Sequence, residues 1–161
     1  MRLKNIEKSL ERMQFVLDTS VLVEYIVKRA PYRAKVERLF SKASNGEIEL
    51  YINPITMSET LYISSRIYET ASLPNPNSEA MNYIMWLKGI ITVIEVNENI
   101  ALRAGELKKI LHIALPDCYV IATAESINAI PLFRSVESEM KPVLNELKRL
   151  KVKFLEELNI E

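Results

Sequence analysis

Five carboxylates have positions that could let them do chemistry together: Asp18, Glu59, Asp117, Glu137 and Glu139. Like charges gathered in one place repel, and a divalent cation offsets that cost. Mg²⁺ and Mn²⁺ are hard ions that prefer carboxylate and water oxygens. A cation held this way can activate water, polarise a phosphoryl oxygen and stabilise a leaving oxygen. Thr19 and Ser20 follow Asp18 directly and can orient it or a water molecule. Arg134 stands close to Glu137 and is the best-placed cation for a phosphate.

Each acid also has a local reading. Asp18-Thr19-Ser20 is helix-capping chemistry. Asp117, Glu137 and Glu139 suit the first turn of a helix, where an acid offsets the macrodipole. Glu59 suits a solvated helix face. The joint pattern carries the functional reading, because one acid after another sits where a strand feeds a helix.

Other candidates are weaker. His112 is the single histidine; without Cys partners it makes a poor zinc motif, and it reads as a helix C-terminal residue. Cys118, the single cysteine, reads as a small core residue and rules out an internal disulfide. Met81, Trp86 and Leu87 read as core. Lys148, Arg149, Lys151 and Lys153 read as a charged edge that discourages strand pairing, with phosphate contact as the alternative.

The elements that must position the acids can be read in order. Residues 14–17 form a short buried strand and 21–26 a short helix, broken at Ala30-Pro31. A helical stripe from Ala34 to Ala43 ends at Asn45-Gly46, and 48–52 reads as a second strand. Asn53-Pro54 opens a helix through Ile67. A turn at 73–78 and a helix over 79–88 follow, then a β-branched strand over 90–96. Asn97 or Asn99 caps a helix through His112, and Pro116 starts another through Ser126. A strand over 129–133, a helix over 137–149 and an edge strand over 151–155 complete the pattern.

Strands alternating with helices imply α/β architecture: a three-layer α/β/α sandwich around a mainly parallel sheet. The 161 residues fit one domain over 13–155. Residues 1–12 read as an extension, helical or frayed, with Ile6 and Leu10 at helical spacing; 156–161 read as a C-terminal tail. Lysine plus arginine equals aspartate plus glutamate at 21 each, so bulk charge does not indicate a strongly basic nucleic-acid binder. With one cysteine and no apolar run near 18 residues, the expected location is cytoplasmic, with no membrane partner.

At these residues the chain resembles the PIN-domain family of metal-dependent ribonucleases, especially the VapC-type toxins of VapBC toxin–antitoxin pairs. Phe15-Val16-Leu17-Asp18-Thr19-Ser20-Val21-Leu22 is similar to that family's first-strand motif. Ser58-Glu59-Thr60-Leu61-Tyr62 resembles its second acidic segment, and Leu115-Pro116-Asp117-Cys118 through Ala122-Thr123-Ala124 its third. The fourth segment, Leu132 to Met140, departs from the pattern: Glu139 matches the second acid by position, Val136 occupies the place of the first, and Glu137 is an out-of-register substitute. The resemblance implies an endoribonuclease using Mg²⁺ or Mn²⁺. Asp18, Glu59, Asp117 and Glu139 would be ligands, with Thr19, Ser20 and Arg134 assisting. It further implies a single-stranded or looped RNA substrate, a cognate antitoxin and a homodimer. Two other readings remain open: a non-catalytic PIN-like module that binds RNA or protein, and a phosphotransfer protein with Asp18 as acceptor. The second lacks the further Asp that one such class carries two residues on, where Ser20 stands here.

Overall fold

The structure, a computed structural model, describes residues 12–161. The expected helical or frayed lead-in lies outside the described residues, apart from Arg12. Five parallel strands form one sheet: β1 (Met13–Leu17), β2 (Ile48–Ile52), β3 (Thr92–Val93), β4 (Ile130–Phe133) and β5 (Lys153–Phe154), in the order β3-β2-β1-β4-β5. Seven α-helices among the described residues connect them: α1 (Thr19–Ile26), α2 (Arg33–Ser44), α3 (Pro54–Thr70), α4 (Pro76–Leu87), α5 (Glu98–Leu111), α6 (Leu115–Ser126) and α7 (Leu144–Arg149).

The central strand shows why both faces are covered. Phe15 and Leu17 of β1 enter one core with Leu22 of α1, Leu39 of α2 and Leu87 of α4. Val16, pointing the other way, enters a second core with Leu107 of α5, Ile121 of α6 and Leu147 of α7. A strand apolar at consecutive positions needs a helical layer on each side. The architecture is therefore the expected α/β/α sandwich with a parallel sheet.

Several boundaries differ from the sequence reading, each for a local reason. The strand expected over 90–96 shrinks to Thr92–Val93. The amides of Ile90 and Ile91 go back to the carbonyl of Leu87 and close α4. At the other end, β2 stops at Ile52, whose carbonyl accepts from Ile94, so no ladder partner remains. The expected turn at 73–78 is shorter, because α4 begins at Pro76 after Asn75 takes a left-handed conformation (φ 55°). The helix expected over 137–149 is a 3₁₀ turn (Lys141–Val143) leading into α7. Residues 134–140 are irregular. The amides of Arg134 and Val136, just before the expected helix, bond to the Ser20 hydroxyl and the Glu156 carboxylate, and within that span Pro142 offers no N–H.

The remaining expectations meet the structure residue by residue. Residues 156–161 are not a free tail: Ile160 is buried in the first core, and its carbonyl accepts from Arg38 at 3.3 Å. Met81 and Trp86 are not core residues but stand 48% and 44% exposed, whereas Leu87 is buried as expected. Trp86 stacks one face on Tyr25 at 5.1 Å. Cys118 is fully buried, and His112 ends α5 in a left-handed conformation. The basic run flanks β5, which is an edge strand. No described helix is long and apolar enough to cross a membrane.

Candidate metal centre

Asp18 follows the last residue of β1, and its amide donates to the carbonyl of Leu132 on β4 at 2.9 Å. That bond pins the residue between the two central strands. Asp18 also caps α1: its Oδ2 accepts from the Ser20 amide at 2.9 Å and from the Ser20 hydroxyl at 2.5 Å. The cap and the candidate site are one arrangement, since Asp18 is held by the helix it starts. Burial raises the Asp18 carboxyl above its ordinary range, and the hydrogen bonds from Ser20 and Thr19 partly oppose this.

Glu59 comes from α3. That helix is fixed by Asn53, whose side chain accepts from the Thr56 amide at 2.9 Å and donates to the Thr123 hydroxyl of α6 at 3.0 Å. Thr19 Oγ1 donates weakly to Glu59 at 3.4 Å, joining the first two acidic segments. Burial and the nearby Asp18 charge both raise the Glu59 carboxyl.

Asp117 lies in the first turn of α6, after Pro116. Carboxylate oxygens of Asp117, Glu137 and Glu139 lie within 4.8 Å of one another. Glu137 and Glu139 come from the irregular segment after β4, where they are exposed. Glu139 reaches back to accept from the amide of Ala114, the residue that caps α6, at 3.0 Å. The Asp117 carboxyl is pushed up to about 8, first by burial, then by the charges of Asp18, Glu137, Glu139 and Glu59. Glu137 is raised by burial and by Asp18 and Glu139. All five acids thus act on one electrostatic neighbourhood.

The donor set fits a hard divalent cation. Three carboxylates offer oxygens at mutual distances a single ion can bridge, and the repulsion borne by Asp117 is what a cation relieves. The structure brings Glu137 and Glu139 together with Asp117, whereas the sequence treated the two as alternatives. Ser20 bonds to Asp18 and Thr19 to Glu59. Arg134 differs: its Nε donates to Glu24 at 2.6 Å, so the guanidinium is turned toward α1.

Glu24 is the residue that sequence reasoning missed. It is 4% exposed and accepts from the Tyr32 amide at 2.7 Å as well as from Arg134. The available signal was an acid among the apolar residues Val21, Leu22, Tyr25 and Ile26 of a short helix.

Comparisons with known proteins agree with this geometry. No curated protein sequence matches the chain. Among solved structures, VapBC-1 from nontypeable Haemophilus influenzae matches with a TM-score of 0.60 at 18% identity, over 90% of this chain and 100% of that one. VapBC2 from Rickettsia felis, bound to a promoter DNA fragment, matches with a TM-score of 0.59 at 19% identity, over 81% and 92%. The Sarcin-Ricin loop cleaving toxin VapC20 from Mycobacterium tuberculosis matches with a TM-score of 0.58 at 12% identity, over 80% and 94%. The PIN domain family matches residues 15–141, a span that runs from β1 through all five acids, and the chain belongs to that family.

Proposed function

We propose that this protein is a divalent-metal-dependent endoribonuclease of the toxin type. The observation that carries this reading is the convergence of Asp117, Glu137 and Glu139 within 4.8 Å, with Asp18 and Glu59 raising the same Asp117 carboxyl. Asp117, Glu139 and Glu137 would hold the ion, and Asp18 and Glu59, outside that 4.8 Å group, would complete the ligand set. Bound Mg²⁺ or Mn²⁺ supplies Lewis acidity toward a phosphoryl oxygen and lowers the pKa of water. Burial and the neighbouring acids favour a protonated Asp117, and a bound cation would offset both and favour its carboxylate. Ser20 keeps Asp18 oriented, Thr19 touches Glu59, and the Ala114 amide holds Glu139 at the start of α6.

The substrate class is single-stranded or looped RNA, whose unstacked backbone can enter a site at the C-terminal end of the central strands. The likeness to a toxin described as cleaving the Sarcin-Ricin loop supports this class. The likeness to VapBC complexes supports a cognate antitoxin; a homodimer and a cytoplasmic location are part of the same proposal. The test is incubation of structured RNAs with Mn²⁺, with EDTA, and with the Asp18→Asn and Asp117→Asn variants. Cleavage that requires metal and is lost in both variants is expected. Cutting in EDTA, or full activity in either variant, overturns the mechanism. Absence of Mn²⁺ binding at millimolar concentration would favour a non-catalytic PIN-like module instead.

A further inference from the structure

Apart from Asp18, Glu24 is the only carboxylate buried among the described residues. A buried charge needs partners, and Glu24 has two. Its Oε1 accepts from the Tyr32 amide at 2.7 Å, and its Oε2 accepts from Arg134 Nε at 2.6 Å. The guanidinium carbon lies 5.5 Å from the centre of the Tyr32 ring, so Tyr32 contacts both members of the pair. The pair therefore ties α1 and the loop after it to the first residue beyond β4.

That residue is where the fourth acidic segment departs from the sheet. The Arg134 amide donates to Ser20 Oγ at 3.1 Å, and the same hydroxyl donates to Asp18. The Arg134 carbonyl accepts from the amide of Glu156 at 3.1 Å. Two residues on, the Val136 amide donates to the Glu156 carboxylate at 3.1 Å. Glu137 comes next, then Glu139. A segment with no helix or strand of its own is thus fixed through Arg134 and Val136, immediately before the two acids.

We propose that the Glu24–Arg134 pair is a positioning latch: it holds residues 134–139 so that Glu137 and Glu139 meet Asp117, and it steadies Asp18 through Ser20. Arg134 therefore acts through the acids it positions. The metal-affinity arm of this inference rests on the function proposed above; the conformational arm does not.

The test uses the full chain and four variants: Glu24→Ala, Glu24→Gln, Arg134→Met and the double Glu24→Ala/Arg134→Met. Amide hydrogen exchange over 134–139 is read in metal-free buffer. Mn²⁺ affinity is read by calorimetry. Glu24→Ala and Arg134→Met are expected to speed exchange in this segment and weaken Mn²⁺ binding by about tenfold or more, as loss of a residue that orients metal ligands commonly does. Glu24→Gln keeps an acceptor for the Tyr32 amide and is expected to fall between wild type and Glu24→Ala. The double variant should match the single ones, because the partners act as a unit. Unchanged exchange over 134–139 in folded Arg134→Met overturns the latch, as do effects that simply add in the double variant. Arg134 is partly exposed, so that variant decides the question if Glu24→Ala fails to fold. If wild type binds no Mn²⁺, the function proposed above fails, and the exchange results still judge the latch.

Discussion

Replacing Asp117 by asparagine should stabilise the metal-free protein, and the gain should depend on pH. Asp117 is pushed from 3.8 to about 8 by burial and by four neighbouring carboxylates. In the unfolded chain it titrates near its ordinary value. A folded-state pKa above the unfolded one means that the folded protein binds more protons between the two. Stability from this group is therefore fully present below about pH 4 and is lost as pH rises toward about 8. Taken at face value the displacement is worth roughly 5 to 6 kcal/mol. Residual solvent contact and an effective dielectric near 20 reduce this, so about 2 to 3 kcal/mol is the realistic scale. The asparagine side chain keeps the size and carries no charge at any pH in the window. Urea unfolding of wild type and Asp117→Asn in EDTA at about pH 3.5 and about pH 9 measures the difference. The variant should be close to wild type at about pH 3.5, below the unfolded value, and about 2 kcal/mol more stable at about pH 9. A difference that does not change with pH would refute the electrostatic reasoning, since it would mean the acids do not share one field. A variant less stable than wild type at pH 9 would show that Asp117 is held by favourable bonds instead.

The same coupling predicts the pH dependence of metal binding. Because Asp117 must lose its proton, Mn²⁺ affinity should fall as pH drops, by about tenfold per pH unit once below the raised Asp117 value. Calorimetry in buffers of different ionisation enthalpy should detect at least one proton released per ion. Away from the acids, Asn53→Ala removes the cap of α3 and leaves the fully buried Thr123 hydroxyl without its donor. A loss of about 2 kcal/mol is expected in urea unfolding. Leu132→Ala removes a fully buried side chain of β4 and should cost about 2 to 5 kcal/mol by the same measurement.

What the sequence made legible follows from where its signals are local. Asp18 and Asp117 stand at a strand end and a helix start, and the residues that create those boundaries are their chain neighbours. The central strands were equally clear, because a strand buried on both faces is apolar at successive positions, as Phe15, Val16 and Leu17 are. The edge of the sheet was not. How far β3 runs depends on how many residues of β2 remain to pair with it, and Asn53 ends β2 by turning its side chain to cap α3. Trp86 misled for a related reason: the spacing of a helix shows that one face is apolar but not how far its neighbours cover it.

Glu137 and Glu139 show most clearly where the local signal fails. A helical pattern read through 137–149 places two acids in a solvated first turn, where residues two apart point away from each other. The observed backbone is irregular there, and just before it Ser20 and Glu156, from opposite ends of the chain, take the amides of Arg134 and Val136. Without a helix the constraint on spacing disappears, and both acids reach Asp117. Glu24 belongs to the same problem. An acid on a short helix reads as solvated unless its partner is known, and Arg134 lies 110 residues away. If the latch is correct, these two failures are one. The pairing that buries Glu24 also holds the fourth acidic segment out of helical geometry, so a chain without the pair would lose the meeting of Glu137 and Glu139 with Asp117 while keeping every acid in place along its sequence.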